Sequence, residues 1–261
     1  KEAKLDALSF IESRLSFNSN IKSSKQYLED LLNYSGFPEP FLIGSEIEAA
    51  RWRRTHVDRI IREDLIDLES VRDIKSIEIL TDLLSRQVGS PVSYESLART
   101  LEVSSHTVKH WIDILESLFI VFRVLPYSKN VRRSIVKRPK IYFFDTGYVR
   151  SGDAAKFENL VATALLKRNH FLEDTKGERR GLYYLRDREK RKVDVLTIAN
   201  DLPEWMIETK LSGKDVKQLR QFSKYVNVKD RLLLVKDSSR DLTMDGINVR
   251  NAANWLTGLI V

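Results

Sequence analysis

Val193-Asp194-Val195-Leu196-Thr197-Ile198-Ala199-Asn200-Asp201-Leu202-Pro203-Glu204-Trp205-Met206-Ile207-Glu208-Thr209-Lys210 decides the reading of this chain. Two apolar runs, near 192–198 and 205–210, flank a segment at 199–203 that supplies the turn residues Asn200, Asp201 and Pro203. The pattern predicts a hairpin. Side chains alternate along a strand, so Glu208 and Lys210 share one face and Thr209 takes the other. A hairpin centred on Asp201 sets Asp194 directly opposite Glu208. Ionised groups on such apolar strands are costly unless paired or ligated, and that context points to a site. As a bare spacing, Asp followed fourteen residues later by Glu-x-Lys is common by chance. The bland alternative is a surface ion pair of Lys210, worth little energetically.

Outward from the hairpin, a helix near 154–169 carries Glu158. Strands near 182–186, 231–235 and 247–249 and helices near 214–226 and 251–258 complete a mixed α/β region. The candidate catalytic group is Glu158, Asp194, Glu208 and Lys210. Hard divalent cations take oxygen ligands, so Asp194 and Glu208 are the expected Mg²⁺ (or Mn²⁺) ligands, with Glu158 binding directly or through water. Lys210 is suited to orient or deprotonate an attacking water and to offset charge on a phosphate.

The chain has 261 residues, 44 Lys plus Arg against 37 Asp plus Glu, a formal net charge of +7 and no cysteine. Disulfides, thiolate zinc sites and cysteine nucleophiles are therefore excluded. No apolar run approaches the roughly 20 residues of a membrane span, and the expectation is a soluble, cytoplasmic protein. The small basic excess matters by its placement.

The first half reads helical: 1–16, 23–34, then about 45–68 with an arginine-rich outer face. Gly36-Phe37-Pro38-Glu39-Pro40 separates the last two, because prolines and glycine do not continue a helix. Three shorter helices follow at 74–88, 93–100 and 104–117, the latter two behind serine caps. Val108, Trp111, Ile112 and Leu115 form the buried stripe of the third, leaving Ser105, His106, Lys109 and His110 outward. Strands at 120–125 and 140–144 bracket a basic loop; residues 123–140 hold seven cations (Arg123, Lys129, Arg132, Arg133, Lys137, Arg138, Lys140) and no acid. A three-helix unit followed by a basic hairpin is the layout of a winged helix over 71–150. Ser105, His106, Lys109, His110, Lys129, Arg132, Arg133, Lys137 and Arg138 are its candidate nucleic-acid contacts. The recognition face is poor in Arg, Asn and Gln, so phosphate contact is expected over base reading. A protein-interaction role for the same module stays open.

Several motifs occur in a recognisable order: Gly36-Phe37-Pro38-Glu39-Pro40, Trp52-Arg53-Arg54-Thr55-His56, Arg62-Glu63-Asp64-Leu65, Pro126-Tyr127-Ser128-Lys129-Asn130, Lys140-Ile141-Tyr142-Phe143-Phe144-Asp145-Thr146-Gly147 and Phe157-Glu158-Asn159. Together they resemble the carboxy-terminal domain of unknown function that follows an AAA-type P-loop ATPase module in many bacterial and archaeal proteins. The resemblance covers nearly the whole chain. It implies a winged helix followed, over 151–261, by an α/β fold with a mixed central sheet, similar to the PD-(D/E)xK nuclease superfamily. Glu158, Asp194, Glu208 and Lys210 match that superfamily's acidic and lysine positions. Thr209 and Leu185 stand where valine and tryptophan are usual, and neither is expected to carry chemistry.

No Gly-x-x-x-x-Gly-Lys-[Ser/Thr] loop occurs in the chain, since Gly213-Lys214 lacks the upstream glycine and the following hydroxyl. The expectation is that residues 1–70 are the helical tail of a missing ATPase module, that ATP acts only through that module, and that this polypeptide does not hydrolyse ATP. The function expected is metal-dependent phosphodiester hydrolysis on nucleic acid, DNA first, coupled to the ATPase. The alternative is a catalytically inactive DNA-binding or protein-interaction module on the same fold.

Overall fold

The computed structural model describes residues 23–60, 74–128 and 138–259. The helical part runs α1 Ser24–Asn33, α2 Pro38–Ile43, α3 Glu46–Arg59, α4 Ile74–Ser85, α5 Tyr94–Leu101 and α6 Ser105–Ser117. The strands β1 Val121–Pro126 and β2 Lys140–Phe143 follow, then the long helix α7 Asp153–Lys176, and then β3 Arg180–Arg186, β4 Lys192–Ala199 and β5 Leu202–Lys210. The chain continues through α8 Lys217–Phe222, β6 Asp230–Val235, β7 Leu242–Met244, β8 Ile247–Asn251 and α9 Ala252–Thr257.

Local chemistry sets these boundaries. Ser23 caps α1 in a reciprocal capping box with Gln26, and Ser93 and Ser104 cap α5 and α6 as expected. The Gly36–Pro40 segment ends one helix but also begins another, because Pro38 sits in the first turn of α2, where no amide donor is required. The helices expected at 1–16 and over 61–68 lie outside the described residues. Helix α7 runs seven residues past the expected end and stops at Gly177, whose φ of 63° is the left-handed conformation of a helix terminus. The short strand β7 was not anticipated; it pairs with β8 through a turn at Asp245 and Gly246.

The eight strands of the described residues form one mixed sheet in the order β2-β1-β3-β4-β5-β6-β8-β7. The β1–β2, β3–β4, β4–β5 and β7–β8 pairs are antiparallel; β1–β3, β5–β6 and β6–β8 are parallel. The β1–β2 hairpin thus extends the sheet of the α/β half through Leu125 opposite Tyr183. One apolar cluster joins α4–α6 to β1 and β2, and two others cover the opposite faces of the sheet, under α8 and under α1, α7 and α9. Among the described residues no helix is long and apolar enough to cross a membrane.

Candidate functional site

The β4–β5 hairpin turns on two residues, Asn200 and Asp201, both with positive φ (47° and 69°), the arrangement that matches strand twist. Near the tip Ala199 pairs with Leu202, and beyond a bulge Val195 pairs with Ile207. That second register carries Asp194 level with Glu208, as the sequence predicts. On its other side β4 shifts by one residue against β3: Tyr183 pairs with Leu196, but Leu185 pairs with Val193. The extra residue falls at Asp194–Val195, and such a bulge re-aims a side chain.

Helix α7 brings the third carboxylate. Asn159 grips β2 with two hydrogen bonds, accepting from the Phe143 amide at 2.8 Å and donating to its carbonyl at 2.8 Å. The neighbouring Glu158 is thereby held against Lys140 and Tyr142, whose Nζ and hydroxyl donate to Glu158 Oε1 at 2.7 and 2.6 Å. Glu158, Asp194 and Glu208 line one cavity of about 520 Å³ with Lys192, Thr209, Gln218 and the α4–α5 loop at Gly89 and Ser90. All three acids are buried, at 5, 4 and 8% exposure. Gly89 has φ of 79°, and a Cβ there would lie 3.0 Å from Glu158 Oε2, so glycine is what lets this loop cover the site.

Charge is distributed unevenly among the acids. Burial and then Asp194 raise the proton affinity of Glu158, against Lys140 and Lys192. Burial also works against the charge of Asp194, but Lys140, Lys192 and the two Thr209 donors overcome it and hold its carboxyl below the usual range. Burial lifts Glu208 to about 7. Its Oε2 is buried with no hydrogen-bond partner, and so is Gln218 Oε1 in the same cavity. The described residues hold no group of three or more His, Asp or Glu side chains close enough to share one ion.

Lys210 stands beside the cavity, not in its lining. Its Nζ is 3.6 Å from Glu208 Oε1 and donates to the Asp215 carbonyl at 2.7 Å. Thr209, expected to carry no chemistry, donates from its amide (3.1 Å) and hydroxyl (3.0 Å) to Asp194 Oδ2. Where the ladder ends, the acid side chain takes over the hydrogen bond that a strand partner would accept.

The basic stretch divides. Arg123 is partly buried in the wall of a cleft, paired with Asp113 at 2.6 Å and with Glu116. Lys140 is wholly buried. Both cations are already paired with acids of the protein. Lys140 opens a strand that is otherwise apolar, and that placement was the available signal. Ser105, His106 and Lys109 are exposed on α6, with His110 half-buried beside them. Lys109 and the exposed Arg138 rim a second cleft of about 620 Å³, which also contains Arg123 with Glu95, Asp113 and Glu116. Lys129, Arg132, Arg133 and Lys137 lie outside the described residues.

Residues 25–156 match the family described as domain of unknown function (DUF8612), and residues 154–255 match domain of unknown function (DUF4143), typically found in carboxy-terminal regions of AAA-type ATPases. An uncharacterized protein of Methanocaldococcus jannaschii, MJ1544, is 22% identical over 235 residues, covering 86% of this chain and 48% of that protein. One from Haemophilus influenzae is 22% identical over 274 residues, covering 98% of this chain and 64% of its own length. Rv2008c of Mycobacterium tuberculosis is 28% identical over 112 residues, 43% of this chain and 25% of the relative. The chain therefore spans less than two thirds of these relatives. No solved structure matches it.

Proposed function

The chain belongs to the family described as domain of unknown function (DUF8612), and from that premise we propose that it is a nucleic-acid-binding, divalent-cation-dependent nuclease. In this reading α4–α6 with β1 and β2 act as a winged helix, the remainder as a nuclease-like α/β domain, and both serve an attached AAA-type ATPase in the cytoplasm. The observation that carries it is the buried, unpartnered Oε2 of Glu208 in the cavity shared with Asp194. A buried carboxylate oxygen without a donor is a costly arrangement that a cation relieves.

Oxygen donors suit Mg²⁺ or Mn²⁺, so the residues fit such an ion, with Asp194 and Glu208 holding it. A bound ion would make a water more acidic and polarise a phosphoryl oxygen. The protein's own groups do the rest. Lys210 and Lys192 offset charge around the acids, and the covering loop at Gly89 and Ser90 narrows access. In the hydrolysis, a water oxygen bonds to phosphorus, one P–O ester bond breaks, and a phosphate monoester and a hydroxyl result.

A second reading has its own support: Lys140 and Lys192 already pair Glu158 and Asp194, as in an inactive module that binds DNA or a protein. A divalent-ion titration with DNA and RNA substrates, comparing wild type with Asp194→Ala, separates the two. Cleavage that needs the ion and is lost in the variant supports the nuclease. Equal background in both leaves the binding module.

A further inference from the structure

Lys140 has no exposed surface, and its ammonium lies 2.7 Å from Glu158 Oε1, 3.6 Å from Asp194 Oδ1 and 5.3 Å from the centre of the Tyr184 ring. Taking the divalent-cation reading as its basis, we propose that Lys140 is a positioning residue. It acts as a fixed internal cation that takes Glu158 out of the ligand set and limits the site to one divalent ion on Asp194 and Glu208.

Lys140 is built in place. It opens β2 opposite Val124 and bridges Pro91. The residues before it are tied down as well: the Pro139 carbonyl accepts from the Val92 amide at 2.8 Å, and the Arg138 carbonyl from the Tyr184 hydroxyl at 2.6 Å. Lys192 is different, because its side chain is 48% exposed and can swing away. Both oxygens of Glu158 already have protein neighbours: Oε1 has Lys140 and Tyr142, and Oε2 has Lys192 at 3.7 Å and sits 3.0 Å from where a Cβ on Gly89 would lie. Glu208 Oε2 has none. A second ion between Glu158 and Asp194 would sit beside an immovable ammonium in a poorly solvated pit, where like charges repel strongly.

The test is Mn²⁺ binding to the full chain, read as stoichiometry and affinity by calorimetry and electron paramagnetic resonance. Wild type should take one ion. Glu158→Gln should weaken it by no more than about 10–100-fold, as for a residue outside the ligand set, while Asp194→Asn costs more than about 100-fold. Lys140→Met should admit a second ion, or bind one at least about tenfold more tightly, and adding Glu158→Gln should reverse that gain. Lys140→Gln keeps a polar end and serves if Lys140→Met does not fold. If neither lysine variant folds, the Glu158→Gln result decides.

The assignment is overturned if Glu158→Gln is as damaging as Asp194→Asn, or if the lysine variants bind one ion with unchanged affinity. Binding in a lysine variant but not in wild type supports the role of Lys140 and overturns the divalent-cation reading. No binding in any protein overturns both.

Discussion

Thr209 donates two hydrogen bonds to a single oxygen of Asp194, from its amide at 3.1 Å and from its hydroxyl at 3.0 Å. The acid is thus anchored on the strand that carries Glu208, while its other oxygen faces Lys192 at 3.3 Å and Lys140 at 3.6 Å. Thr209→Val keeps the shape and the amide donor but removes the hydroxyl. A bond to a charged acceptor is worth about 1–3 kcal/mol. The variant should lose about that much stability in urea unfolding, and unchanged stability would show that the amide alone holds the acid.

Acid sensitivity should trace in part to Glu204. It accepts from Arg168 at 3.1 and 3.2 Å and from Arg180 at 2.9 Å. Burial opposes its charge, and the two arginines outweigh burial, so its carboxyl is held below the usual value of 4.5. A depressed carboxylate contributes stability that is complete above its unfolded value and is lost as pH falls through its folded value. Glu204→Gln should therefore be less stable than wild type at pH 7 by about 1–3 kcal/mol. The gap should close as pH drops below 4.5. Unfolding midpoints across pH read this directly, and a constant gap would mean the loss comes from packing.

Nucleic-acid binding should depend on salt through the cations of the β1–β2 loop and not through all seven of the stretch. Arg123 and Lys140 are already paired with acids of the protein, Lys140 in full burial. Each phosphate contact contributes roughly 0.9 to the log–log salt slope on duplex DNA. Alanine at Arg132, Arg133 and Lys137 should flatten the slope by up to three such contributions. An unchanged slope would assign the loop to solvent or to a protein partner.

Much of this was legible in the sequence for identifiable reasons. Period-two apolar runs and Asn200-Asp201 gave the hairpin, its register and the meeting of Asp194 with Glu208. Serine caps gave the starts of α5 and α6. What escaped depended on tertiary neighbours. Nothing local to Lys140 says that Glu158, eighteen residues on, comes to lie against it, and the tally of basic residues counted it with the cations of the loop although it opens the strand. Strand alternation put Thr209 on the far face, but the end of the ladder and the bulge at Asp194 let that side chain reach the acid. The sheet crosses the position where periodicity changes, because β1 pairs in parallel with a strand that begins nearly sixty residues later.

Lys210 should separate ion binding from cleavage. Its ammonium neighbours Glu208 at 3.6 Å without lining the cavity. Lys210→Ala should change Mn²⁺ affinity by no more than about 10–100-fold, as for a group outside the ligand set. Cleavage should fall by about 10²–10³, the usual cost of removing one charge-stabilising donor. Single-turnover rates at saturating Mn²⁺ check it, and cleavage equal to wild type would remove Lys210 from the reaction.

The central claim is that Asp194 and Glu208 hold a divalent cation, and a crystal containing Mn²⁺ tests it most directly. Anomalous diffraction at the manganese edge should show a peak within coordination distance of an oxygen of each residue. The peak should vanish from Asp194→Ala crystals prepared in the same way. A cavity without a peak under saturating Mn²⁺, or a peak held by other residues, would contradict the account.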